Sequence, residues 1–142
     1  GSWISPVTAT ASSTYHDSFA PEKAIDGRDD TSWFSEPNTA LPCWIQFDLG
    51  ETLTINKVQT TISNKDVPIT LDIQVSADGT NWTTVTTDFK ITEADTPTTI
   101  PCNPTNTRHV RLWETKLNRN YGQCTEFKVH TTTNRSETLK IL

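Results

Sequence analysis

Residues 23–35 read KAIDGRDDTSWFS and hold the densest set of groups capable of chemistry in the chain. Asp26, Asp29 and Asp30 surround Gly27, and Thr31 and Trp33 close the stretch. Carboxylates, a hydroxyl and turn carbonyls are the donors of a hard cation; Ca²⁺ takes about six to eight such oxygens at about 2.3–2.6 Å. Gly27 allows a tight turn that aims successive carbonyls inward. The competing reading is a solvated turn with surface acids, and the stretch alone leaves both open.

Other reactive residue types are dispersed. His16, His109 and His130 lie far apart in sequence, and His109 and His130 fall within alternating segments where a solvent-facing histidine is ordinary. Cys43, Cys102 and Cys124 form no CxxC pair and have no histidine at metal spacing. Three cysteines fit one disulfide plus a thiol, or three buried thiols. A nucleophile with its base and orienter is not legible, nor is a pair of acids at glycosidase separation. Catalysis is not expected. The segment KLNRNYGQ at 116–123 is of a different kind: Asn118, Arg119, Asn120 and Tyr121 combine donors, acceptors and a ring.

The elements that would position these loops are short apolar alternations between turn residues. They are VTATA (7–11), WIQFDLG (44–50), INKVQTTI (55–62), TLDIQVSA (70–77), WTTVT (82–86), TTI (98–100), HVRLW (109–113) and EFKVH (126–130). Ile45, Phe47 and Leu49 alternate with Gln46 and Asp48, a period of two with one buried face, as in antiparallel sheet. Asp78-Gly79 predicts a hairpin turn. Only 20–25 fits a short helical turn. Eight short strands in one chain predict an all-β, single-domain antiparallel β-sandwich of jelly-roll type. Residues 1–6 read as a tag or lead-in, 7–130 as the sandwich, and 131–142 as a polar tail, linker or added edge strand. Trp33 and Trp44 are expected in the core, as is Phe19.

A chain of 142 residues suits one domain with a real core. Its net charge of −5 argues against a nucleic-acid partner, and no apolar run is long enough to span a bilayer. About a fifth of the residues are threonine and methionine is absent, which favours strands over helices. The opening Gly1-Ser2 reads as a cloning remnant, implying a module cut from a larger protein. Sequons stand at Asn81 and Asn134.

Six motifs occur in order: ATASS (9–13), AIDG with T-x-W (24–33), WIQFDLG (44–50), VSADGTNW (75–82), RHVRLW (108–113) and TEFKV (125–129). In this the chain resembles the coagulation-factor type C (discoidin), galactose-binding-like superfamily, and is most similar to carbohydrate-binding modules of family 32. The resemblance covers about residues 5–130. It implies that the AIDG loop wraps a structural calcium or sodium ion. The implied ligands are the carbonyls of Lys23, Arg28 and Thr125 and the side chains of Asp26, Thr31 and Glu126. Many relatives carry an acid where this chain has Arg28.

The resemblance also implies sugar contacts in loops at one end of the sandwich. Many galactose-binding relatives have histidine after T-x-W; Phe34 stands there and would stack on a sugar face or pack under the neighbouring loop. Ser63-Asn64-Lys65-Asp66 replaces a frequent arginine, leaving Asn64 and Lys65 as donors. Asn118, Arg119 and Tyr121 form a third contact loop, and Tyr15 and His16 rim the site. The same fold places the starts of two strands together, implying a Cys43–Cys124 disulfide. The implied function is a non-catalytic module binding terminal galactose, N-acetylgalactosamine or N-acetylglucosamine, monomeric, joined covalently to further domains, and secreted or cell-surface. The alternative is a discoidin-like domain that binds protein or phospholipid.

Overall fold

The computed structural model describes residues 1–132, and the β-sandwich follows from the alternation. The strands are β1 (Ser2–Ile4), β2 (Thr8–Ala11), β3 (Trp33–Phe34), β4 (Cys43–Thr61), β5 (Ile69–Ser76), β6 (Thr83–Ile91), β7 (Thr98–Lys116), β8 (Gln123–Cys124) and β9 (Glu126–Thr131). The main sheet runs β1-β9-β4-β7-β5-β6, with β2 added on β4; β3 and β8 form a separate ribbon. All pairings are antiparallel. Short 3-10 turns at Asp17–Phe19 and Pro21–Ala24 supply the helical segment expected near residue 20.

The segments 44–50 and 55–62 prove to be one strand, β4, and 98–100 and 109–113 likewise join in β7. Register shifts between Asp48 and Leu53 and between Ile55 and Lys57 interrupt the β4–β7 ladder, and such bulges bend strands without ending them. The first half of β4 pairs with β2, and its second half with β9. The two halves thereby serve the two layers. Phe47 from one half stacks on Phe127 of β9 with ring centroids 4.0 Å apart, sealing the core between the layers.

Period two decides which side chains fill that core. Cys43, Ile45, Phe47 and Leu49 are buried, so Trp44 faces outward and is not a core residue, contrary to expectation. It lies opposite Trp113 in the ladder, and Arg111 packs beside them with its guanidinium 4.2 Å from the Trp113 ring and 4.1 Å from Trp82. Trp33 is fully buried, as the sequence implied.

Residues 1–6 are more than a lead-in. Ser2–Ile4 pairs with β9, Ser2 against Thr131 and Ile4 against Val129, so the start of the chain supplies an edge strand. Of the expected tail, Thr131 ends β9, and residues 133–142 lie outside the described residues.

Candidate functional site

The ribbon of β3 and β8 stands between two loop systems. Trp33 pairs with Cys124 and Phe34 with Gln123. The acidic stretch enters the ribbon at Trp33, whose indole N–H donates to the Ser13 carbonyl at 2.9 Å. A cleft begins at the next residue, Phe34.

In the acidic loop Gly27 has φ of +75°, the left-handed conformation that glycine adopts without strain. Its N–H donates to Glu126 Oε1 at 2.9 Å, bringing β9 against the loop across 99 positions of sequence. Asp26 accepts from the Arg28 N–H (3.0 Å) and the Thr31 hydroxyl (2.6 Å). Asp26, Thr31 and Glu126 therefore share one locality with the backbone of Gly27 and Arg28. Glu126 Oε2 is buried and has no hydrogen-bond partner among the described residues. Burial raises the Glu126 carboxyl above its ordinary range, and the charge of Asp26 pushes the same way. Asp30 does not join them: it forms an exposed ion pair with Arg28 at 2.8 Å. No three His, Cys, Asp or Glu side chains converge as a metal cluster among the described residues. A cation here would depend on two carboxylates with a hydroxyl and carbonyls.

Across the ribbon, aromatic side chains from three segments meet edge to face. Phe34 lies 5.0 Å from Phe19 and 5.9 Å from Tyr121, and Tyr121 lies 5.6 Å from Tyr15. With Arg119 they line an open cleft of about 250 Å³. Such T-shaped contacts set the positive edge of one ring against the negative face of the next. His16 packs on Tyr15 and Phe19, and its Nδ1 accepts from the Ser18 N–H, closing the 3-10 turn. Phe19, expected in the core, is a wall of this cleft; only the fold brings it to Phe34.

The 116–123 loop is held from several sides. Ser35 and Gly122 exchange bonds, Ser35 N–H to the Gly122 carbonyl at 3.0 Å and Gly122 N–H to Ser35 Oγ at 2.8 Å. A Cβ at Gly122 would stand 2.5 Å from Cys43 Sγ, so only glycine lets the loop descend this far. Asn118 donates to the Lys65 carbonyl at 3.0 Å, and Arg119 pairs with Asp66 at 2.9 Å. Beneath them Glu114 is fully buried; its Oε1 accepts from the Gln123 N–H at 3.1 Å and its Oε2 has no partner among the described residues. Burial pushes this carboxyl up to about 8, with the Asp66 charge acting in the same direction.

Of the residues singled out as sugar contacts, Tyr15, Phe34, Arg119 and Tyr121 line one cleft, with His16 behind its rim. Asn118, Asn64 and Lys65 act one layer away. The Asn64 N–H donates to Asp95 at 3.1 Å, and Lys65 contributes its carbonyl to Asn118. The Cys43–Cys124 disulfide is not formed, and all three cysteines are free thiols. Cys124 Sγ is engaged with the Thr60 hydroxyl (3.3 Å) and the Glu126 carbonyl (3.4 Å), whereas Cys43 lies against Gly122. Asp66 and Glu114 were missed as supports of the site. The SNKD motif contained the first, but its partner lies 53 positions away.

An F5/8 type C domain model matches residues 8–127. The comparison with curated proteins returned no match. Among solved structures, a family 32 module of a Clostridium perfringens protein (CpGH89CBM32-5), in complex with GalNAc-β-1,3-galactose, superposes with a TM-score of 0.79 at 27% identity, covering 87% of this chain and 94% of that one. Chitosan-binding module 1 of a chitosanase/glucanase from Paenibacillus sp. IK-5 gives 0.78 at 32% identity over 89% of this chain and 94% of that one. Module 2 of the same enzyme, in complex with chitotriose, gives 0.74 at 30% identity, covering 89% and 97%. The matched span, the ribbon-centred sandwich and these neighbours agree: the chain belongs to the F5/8 type C domain family.

Proposed function

We propose that this chain is a non-catalytic carbohydrate-binding module that takes terminal sugars of galactose, N-acetylgalactosamine or N-acetylglucosamine type in the cleft of Tyr15, Phe19, Phe34, Arg119 and Tyr121. The observation that carries this reading is the meeting of four rings and one guanidinium in an open cleft at the loops. Rings cover the apolar face of a pyranose, and guanidinium and phenol groups bond its hydroxyls. The sugar complexes of its structural neighbours support the same reading. By holding glycan, the module would tether an attached glycan-active or adhesive protein at its target and raise its effective concentration there. A secreted or cell-surface setting follows from such a target.

The acidic loop fits the structural calcium that the resemblance implies. Asp26, Thr31 and Glu126 would hold it with the carbonyls of Lys23, Arg28 and Thr125, and the unpartnered Glu126 Oε2 is the atom that argues for a cation. When bound, the ion would neutralise two adjacent carboxylates and tie the loop to β9. A glycan array probed with the domain in calcium buffer tests the function. Binding to a coherent set of terminal sugars, lost in Tyr121→Ala with unchanged melting, is the expected result. A blank array with folded protein would reject it.

A further inference from the structure

Among the described residues Arg119 is the one charged residue lining the cleft, and its charge is already answered. Its Nε and Nη2 both donate to a single oxygen of Asp66, at 3.0 and 2.9 Å. Asp66 is 1% exposed, so this is a carboxylate built into the protein under the cleft. Its second oxygen accepts from the Ser63 hydroxyl, and its own N–H donates to the Ser63 carbonyl at 2.9 Å. The anion is thus fixed by its own loop before Arg119 arrives. The guanidinium also lies 5.7 Å from the Tyr121 ring centroid, and Nη1 has no protein acceptor among the described residues.

A guanidinium offered bare would take a sugar carboxylate through its two-pronged edge. Here the Nε/Nη2 edge is occupied by Asp66, and the Nη1/Nη2 edge that stays open belongs to a guanidinium whose charge is already neutralised. A carboxylated sugar would meet a cancelled charge, a buried anion behind it, and a chain of net charge −5. What remains to Arg119 is direction: unused N–H donors in a plane set by Asp66 and by the Tyr121 ring. Directional donors without net charge suit hydroxyls. We propose that Asp66 is a specificity-determining positioning residue, which orients and neutralises Arg119 so that the cleft reads sugar hydroxyls and rejects carboxylated sugars. This rests on the glycan-binding reading above and adds to it a selection among glycans.

The test is affinity electrophoresis of the folded domain in gels containing galactan or soluble chitin oligosaccharide conjugates (uncharged), or polygalacturonate or alginate (carboxylated). Wild type is expected to be retarded by an uncharged glycan and not by the acidic ones. Asp66→Asn keeps an oxygen acceptor for Arg119 but removes the charge. It is expected to gain at least about tenfold affinity for an acidic glycan at low ionic strength, a gain erased by salt because the new attraction is Coulombic. Arg119→Gln is expected to lose uncharged-sugar affinity and gain none for the acids. Wild type binding acidic glycans as tightly as uncharged ones overturns the inference, whether or not either variant folds. A folded Asp66→Asn with unchanged preference overturns it as well. Wild type binding no glycan at all rejects the glycan reading itself, and the inference with it.

Discussion

Two pairs of carboxyl groups stand on either side of the β3–β8 ribbon, and the protein resolves their repulsion in different ways. At the cleft, burial raises the carboxyl of Glu114 to about 8 and the Asp66 charge adds to that shift, while Asp66 itself is answered by Arg119. At the acidic loop, burial raises the carboxyl of Glu126 and the Asp26 charge adds to it, and the remaining Glu126 oxygen has no partner among the described residues. In the first pair a guanidinium of the same chain answers one carboxylate, while Glu114 Oε2, like Glu126 Oε2, has no hydrogen-bond partner among the described residues. The second pair is the one at which the proposed calcium would supply the missing positive charge. The difference is that only the first pair has a cation supplied by the chain, Arg119, whereas no Lys or Arg pairs with Asp26 or Glu126 among the described ion pairs.

Four experiments test whether the two regions act independently. The largest effect is expected from removing what the two regions share. Trp33 is fully buried between them, and Trp33→Ala should destabilise by about 3–5 kcal/mol, measured by urea unfolding, with sugar binding and the stabilisation by calcium impaired together. Loss of one response alone would show that the ribbon does not couple them.

Next is the buried acid. Glu114 moves from an ordinary 4.5 up to about 8 in the folded protein, so the fold binds a proton that the unfolded chain has released. Its contribution to stability is therefore full below pH 4.5 and is lost as pH rises towards 8. By pH 7 the loss amounts to about 3 kcal/mol, at 1.36 kcal/mol per pH unit. Glu114→Gln should flatten that slope in denaturation curves taken at pH 5 and pH 8. An unchanged slope would mean that Glu114 is ionised in the fold.

Calcium removal comes third. With ion at a hundredfold excess over its dissociation constant, chelation should lower stability by about 2.7 kcal/mol, read as a fall in Tm. In Glu126→Gln that response should shrink while sugar affinity stays near wild type. The smallest effect is on affinity alone: Tyr121→Ala should weaken sugar binding by about 2 kcal/mol in calorimetry, with the calcium response intact. If chelation abolished sugar binding as completely as Tyr121→Ala, the two regions would be one site.

Much of this was legible before any fold. Alternation at Ile45, Phe47 and Leu49 named the buried face correctly, because period two is a local property of extended backbone. The same alternation, followed strictly, already put Trp44 on the outer face; its place at the start of a buried strand argued for the core and was misleading. The ring-bearing positions 15, 34 and 121 were picked out by the resemblance, and they meet. Phe19 was assigned to the core because an isolated phenylalanine carries no local sign of which cavity it will border.

The all-β class, the strand faces, the Asp78-Gly79 turn and the oxygen-rich character of the 23–35 loop could be read from residue order, since each depends on neighbours within a few residues. Only long-range packing leaves the cysteines as free thiols, makes the chain start an edge strand and brings Asp66 to Arg119. These are contacts between segments tens of residues apart. They are fixed by how bulged strands bend and pack, for which a local residue pattern has no signal.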